Sequence, residues 1–373
     1  MPVFQVDRLV PDYVRSYEPY VPSPPDPVLC KRYGVDHLHR LNNNENPFGP
    51  PPLALEVIRN FDPLDFAKYP SGDSYYLCRG LAEKFDLSPD QFLVGDGANE
   101  SIGFIIKAFC ERGDNIVTAD QTYSVYEWVA QFSGFEARLV PLEDFGFQEE
   151  SLLRACDERT KIIFICNPNN PTGSYWSEER LRAFLDRVDG RQIVVVDEAY
   201  AEFVEQDDFP NGLAMMKDYP NLVVFRTFSK MWGLAGLRIG YLAASPPVWE
   251  AIRRTCVRYS VNLLAQRAAL AALHDTEHLE RTRSLCREVR AFLSTELQAL
   301  GLTVVAREGN YVMVQLPISD TLMARLLMKK GFCVRAMTDF RFPGWIRISF
   351  AKMPVMKSFV VALTEILRDR GVL

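Results

Sequence analysis

Between residues 53 and 245 the spacing of apolar positions switches repeatedly between two patterns. ALEVIRNF, SIGFIIKAFCERG and SEERLRAFLDRV repeat apolar residues every three to four positions, which predicts helices with one buried face. QFLVGDG, NIVTAD, GFEARLVPL, KIIFICNPN, RQIVVVDEAY and NLVVFRTFS are short apolar runs rich in β-branched residues and closed by turn residues. Continuous rather than alternating runs predict strands covered on both faces, and their interleaving with helices predicts a mostly parallel sheet. Beyond 246 the texture changes to a long helical stretch ending near ELQAL, then to alternating segments around LTVVARE, YVMVQL, CVRAM and WIRISF. That change predicts a second, smaller α+β domain. The first fifty residues contain PSPPDP at 22–27 and NPFGPPP at 46–52, and proline at that density opposes helix and sheet alike, so they are expected to form an extended arm. The expected division is an arm over 1–45 that serves the small domain and a dimer contact, a large domain over 46–248 and a small domain over 249–373.

Composition narrows the function classes. A chain of 373 residues, 48% hydrophobic and 24% charged, can fill one large or two medium cores. With Lys+Arg at 42 against Asp+Glu at 48 the formal net charge is −6, so no overall cationic field exists to gather nucleic acid or an anionic membrane surface. No apolar run approaches the roughly 20 residues of a membrane span, and MPVFQVDRLVPDY lacks the basic and apolar regions of a signal peptide, so a cytoplasmic protein is expected. The eight cysteines include no CxxC pair, which argues against a disulfide framework or zinc ribbon. His274 and His278 stand four apart, but no third ligand accompanies them and they are expected on a solvated helix face. His37 and His39 are expected at the surface, and no metal site is predicted.

In an open α/β sheet a ligand sits beyond the carboxyl ends of the strands, and four such ends are unusual here. IIFIC runs into Asn167-Pro168-Asn169-Asn170-Pro171-Thr172-Gly173, a turn that fixes the backbone and leaves an asparagine pointing inward. IVVVD delivers Asp197, followed by Glu198, Ala199 and Tyr200. VVFRTFS delivers Ser229 and Lys230, with Arg238 after GLAGL. FLVGDGANES supplies a strand, a turn and a helix start at Ala98 and Asn99, and Glu100 in place of a third glycine rules out a dinucleotide fingerprint. A buried carboxylate, a lysine, an arginine, an amide and a helix end match the demands of pyridoxal 5′-phosphate: an imine-forming amine, a partner for the pyridine nitrogen and an anion cradle.

The motifs NENPFGP, KYPSG, NPNNPTG, DEAY and TFSKMWGLAGLRIGY, in this order, resemble those of class I/II aminotransferases of the aspartate aminotransferase fold (fold type I), most of all the histidinol-phosphate aminotransferase branch. The resemblance runs from about residue 15 to the end. It implies an α/β large domain with a mostly parallel central sheet plus a smaller α+β domain. It also implies Lys230 as Schiff-base lysine and proton shuttle, Asp197 as partner of the pyridinium nitrogen, and Asn170 and Tyr200 as partners of the phenolic oxygen. Arg238, Ser229 and the amides around Ala98 and Asn99 would hold the phosphate, and Tyr123 would stack on the ring. Tyr69 would reach the neighbouring subunit's cofactor, making the site composite and the protein a homodimer. Arg347 would clamp the substrate's α-carboxylate or the phosphate of histidinol phosphate, and Arg335 would stand near the distal end of the substrate.

Some positions depart from the branch. Gln121 stands where the family usually has proline, Asn42 and Asn43 where small residues are common, and Phe350, Ala351 and Lys352 where valine, glycine and threonine usually follow the clamp arginine. The last two departures are expected near the substrate side chain. The leading expectation is transamination from histidinol phosphate to 2-oxoglutarate. An aromatic or other 2-amino acid donor is the second, and a binding protein that has lost catalysis is a third that the retention of Lys230, Asp197 and Arg238 opposes. The His-Gly-Gly start general among related threonine-phosphate decarboxylases is absent, which opposes decarboxylation.

Overall fold

The computed structural model describes residues 4–19 and 22–372. Its strands, in chain order, are β1 (His39–Leu41), β2 (Phe92–Gly95), β3 (Asn115–Ala119), β4 (Glu136–Val140), β5 (Thr160–Cys166), β6 (Ile193–Asp197), β7 (Leu222–Thr227), β8 (Gly240–Ala244), β9 (Val304–Val305), β10 (Tyr311–Gln315), β11 (Phe332–Ala336) and β12 (Trp345–Ser349). Seven of them form a sheet of order β2-β8-β7-β6-β5-β3-β4, in which only β8 runs against its neighbours. The apolar runs form its centre because Ile162–Ile165, Val194–Val196 and Leu222–Phe225 are buried on both faces between helices. β8 is the strand that the sequence pattern does not announce. GYLAA carries no β-branched residue, and it pairs because β7 and β2 offer it hydrogen-bonding edges on both sides.

Helices Ala98–Phe109 and Glu178–Val188 fall where the periodicity predicts them. The second is started by Ser177, whose side chain accepts from the Arg180 amide, and it buries Leu181, Phe184, Leu185 and Val188 on one face. The long stretch after 246 is three helices: Pro246–Arg253, Leu263–Ala272 and Thr276–Ala299. Asn262 and Asp275 cap the second and third, and the helix Leu263–Ala272 packs back on the helices Pro52–Arg59 and Tyr75–Phe85.

The five-stranded sheet has the order β1-β11-β12-β10-β9. It corrects the expectation of a wholly extended arm, because β1 joins this sheet parallel to β11 and residues Asp26–Tyr33 are helical. Proline does not oppose that helix: Pro25 and Pro27 flank its first residue, where the backbone N–H groups have no intrahelical acceptor. With β1 in one sheet and Phe48 packed against the core, the segment 42–46 is drawn across the carboxyl edge of the other sheet. Among the described residues no helix is long and apolar enough to cross a membrane.

Candidate active site

The ends of β5, β6 and β7 lie side by side, with Cys166 in register with Asp197 and Asp197 with Phe225. Beyond them opens a cavity of about 740 Å³ whose lining includes Asp197, Lys230, Arg238, Asn170, Tyr200 and Arg347. Ala98, Asn99, Tyr123, Ser229 and Arg335 also line it, so of the predicted residues only Tyr69 lies outside the cavity.

Asp197 is 3% exposed at the end of a strand of valines. Burial pushes its carboxyl up to about 6, against hydrogen bonds from the Tyr126 hydroxyl at 2.6 Å and the Ala199 amide at 3.0 Å. Lys230, in the loop after β7, donates from Nζ to the Asn43 carbonyl at 2.6 Å. Burial, and then the nearby Arg347 charge, bring its ammonium down to about 8, so an appreciable share is the neutral amine at physiological pH.

At one end the helix Ala98–Phe109 starts without a side-chain cap, leaving its first amides directed at the cavity rim. Gly97, at φ 76°, is required here: a Cβ on it would stand 2.2 Å from Nη2 of Arg238. The guanidinium and the bare helix start therefore share one anion-sized corner, with Ser229 beside it on the lining. Tyr123 donates to Asn99 Oδ1 at 2.8 Å, which fixes its ring over the cavity between this corner and Asp197.

At the other end Arg347, 4% exposed on β12, donates from Nη2 to the Asn42 carbonyl at 2.6 Å and from Nη1 to Asn170 Oδ1. Arg335 on β11 pairs directly with Arg347 across the ladder, and its nearest carboxylate, Asp339, is 3.9 Å away. The Nε atoms of both arginines are buried without a partner. Tyr17, Trp128, Phe132 and Phe340 line this region. Tyr69 is 84% exposed, its ring 5.1 Å from that of Tyr259.

Two expectations need correction. Phe350, Ala351 and Lys352 are not on the cavity wall: Phe350 is buried in the core with its amide on the Asn310 carbonyl at 2.8 Å, and only Asn42 and Asn43 of the departures reach the site. Gln121, which is not part of the lining, donates from Nε2 to the Arg341 carbonyl at 2.8 Å. His278 is 4% exposed rather than solvated, because the third helix begins only at Thr276 and turns it onto the Met231 carbonyl at 3.2 Å. Sequence reasoning also missed residues of weight. Asn44 donates to the Tyr200 hydroxyl at 2.8 Å, and Tyr126, three positions after Tyr123 in TYSVY, holds Asp197. The three-residue spacing was the available signal for Tyr126; the four aromatics of the distal wall, from three distant segments, left none.

The donor set fits pyridoxal phosphate: a partly neutral, half-buried amine, a buried carboxylate to face a ring nitrogen, and an anion corner opposite. A mostly parallel sheet with this cavity at its carboxyl edge and a smaller sheet beside it is the fold of aspartate aminotransferase. The chain belongs to the aminotransferase class I and II family, whose model matches residues 36–361, and it is an aminotransferase. More particularly, it is 38% identical over 361 residues to histidinol-phosphate aminotransferase of Anaeromyxobacter sp. (strain Fw109-5), covering 96% of this chain and 99% of the relative. It is 36% identical over 355 residues to that of Moorella thermoacetica, covering 95% and 92%. Among solved structures it resembles histidinol-phosphate aminotransferase from Sinorhizobium meliloti in complex with pyridoxal 5′-phosphate, at TM-score 0.86 and 28% identity over 96% of this chain and 97% of that one. A Thermus thermophilus aspartate aminotransferase mutant matches at TM-score 0.82 and 25% identity, over 98% and 99%.

Proposed function

We propose that the protein is a pyridoxal-phosphate-dependent aminotransferase that takes histidinol phosphate as amino donor and 2-oxoglutarate as acceptor. The observation that carries the donor is the pairing of Arg335 with Arg347 across β11 and β12, two adjacent guanidinium groups with unpartnered Nε donors at the distal end of the cavity. A dianionic phosphate would satisfy both.

The cofactor, when bound, supplies an aldehyde carbon and an electron sink. Lys230 would hold that carbon and, once released, would serve as the base that moves the substrate's Cα proton; its lowered pKa suits that role near neutral pH. Asp197 would face the ring nitrogen and favour its protonated form. Asn170 and Tyr200 would hydrogen-bond the phenolic oxygen, Arg238, Ser229 and the amides of Ala98 and Asn99 would hold the phosphate, and Tyr123 would stack on the ring. Arg347 and Arg335 would orient the donor through its anion.

A second reading, an aromatic 2-amino acid as donor, draws on that same aromatic wall of Tyr17, Trp128, Phe132 and Phe340. Comparing kcat/KM for histidinol phosphate with that for phenylalanine, 2-oxoglutarate as acceptor, decides between them. Preference for phenylalanine with no turnover of histidinol phosphate would overturn the first.

We also propose the homodimer. Exposed Leu64, Phe66, Tyr69, Tyr76 and Tyr259 make an apolar surface suited to a second copy, and Tyr69 has no role in its own cavity. The chain divides at 1–45, 46–248 and 249–373 in this reading, and its eight unpaired cysteines suit the cytoplasm.

A further inference from the structure

Tyr126 is fully buried in the first turn of the helix Val125–Phe132. Its ring stacks on Phe164 of β5 at 4.8 Å and meets Tyr123 edge-on at 5.6 Å. This packing fixes the direction of its hydroxyl, which donates to Asp197 Oδ2 at 2.6 Å, while the Ala199 amide donates to Oδ1 at 3.0 Å. The other titratable groups facing Asp197 are Cys166 from β5, Lys230 beyond β7, Tyr123, Tyr200 and, next to it in the chain just after β6, Glu198, which is turned onto Arg226 at 2.7 Å. Among the described residues Tyr126 is the only side chain that hydrogen-bonds this carboxylate.

A carboxylate in an apolar strand end is inclined to take up a proton, and a protonated acid cannot stabilise a cationic ring nitrogen. A hydrogen bond from a phenol too buried to ionise opposes that protonation without bringing a competing charge. We propose that Tyr126 is a positioning residue: through Asp197 it keeps the ring nitrogen of the bound cofactor protonated, and it ties the carboxylate to the same turn that carries the stacking ring of Tyr123. The inference rests on the pyridoxal-phosphate reading above.

The test uses holoenzyme reconstituted with pyridoxal phosphate labelled with nitrogen-15 in its ring, and follows the nitrogen shift against pH in wild type and Tyr126→Phe. Phenylalanine keeps the stacking on Phe164 and removes only the donor. The expected result is a ring-nitrogen pKa lower by one to two units, a 10- to 100-fold loss of proton affinity, with cofactor affinity weakened about tenfold. Adding Tyr126→Phe to Asp197→Asn should change neither quantity further, since the tyrosine then has no charge to act through. An unchanged nitrogen pKa, or an effect that adds in full to that of Asp197→Asn, would overturn the role of Tyr126 alone. If Tyr126→Phe does not fold, the double variant, which leaves no unpaired buried charge, must fold and bind cofactor as Asp197→Asn does; failure of both would assign Tyr126 to packing. Wild type that takes up no cofactor would instead overturn the reading on which the inference stands.

Discussion

The side-chain amide of Asn44 donates to the hydroxyl of Tyr200 at 2.8 Å, and the same residue joins both sheets. Its backbone N–H donates to Ser349 Oγ at 2.9 Å, its Oδ1 accepts from that hydroxyl at 2.7 Å, and its carbonyl accepts from Asn310 Nδ2 at 3.1 Å. Asn44 sits at φ 57°, a conformation asparagine tolerates better than most residues. Asn44→Ala should therefore lower stability by about 1–3 kcal/mol, because it leaves buried polar groups without partners. It should also reduce kcat by loosening Tyr200. Denaturant unfolding and steady-state kinetics check both; unchanged values would show that the contact carries neither.

Lys230 predicts a pH dependence of the cofactor-free protein. Burial first, and Arg347 second, lower its pKa from 10.5 to about 8. Between those values the unfolded chain holds a proton that the folded chain lacks, so stability rises with pH across the window. Urea unfolding of cofactor-free wild type and Lys230→Met should show wild type gaining on the variant as pH rises above about 8, and cofactor uptake by wild type should quicken over the lower part of that rise. A constant difference between the two proteins would contradict the shift.

The paired arginines separate the two donor readings. Arg335→Ala should cost about 2 kcal/mol or more in kcat/KM for histidinol phosphate, whose phosphate loses one of two guanidinium partners. The same change should cost phenylalanine less than about 1 kcal/mol, as its ring carries no anion at that end. Equal losses for both donors would detach Arg335 from anion recognition.

Gly233, three residues after Lys230, tests the seating of the loop. It lies at φ 59°, and a Cβ there would stand 2.2 Å from the Gly49 carbonyl oxygen and 2.5 Å from its carbon. Both contacts are with backbone, so no side chain can swing aside. Gly233→Ala should destabilise by about 2–4 kcal/mol and slow cofactor uptake, the first measured by thermal unfolding and the second by the growth of cofactor absorbance.

The proposed shared site predicts complementation. Mixing an inactive Tyr69→Ala variant with an inactive Lys230→Ala variant should restore part of the activity, because one of the two hybrid sites then contains both native residues. Subunit exchange without recovery would confine Tyr69 to its own chain.

The sequence by itself determined the class of fold and nearly all of the predicted cavity lining. Apolar runs that must be covered on both faces dictate a mostly parallel sheet, and a parallel sheet brings the residues following each strand to one edge, so Asp197, Asn170, Lys230 and Arg238 could be placed together from strand order alone. Elements without a local signal were decided only by the tertiary structure. β8 is a strand because two edges receive it, and His278 is buried because the loop that carries Met231 meets it. The same holds for contacts that join distant segments: Asn44 with Tyr200 and Ser349, Tyr126 with Asp197, and Arg335 beside Arg347 depend on packing and sheet register, which no window of sequence contains. Periodicity reports which face a residue turns to the core; only the assembled fold decides which residue it meets there.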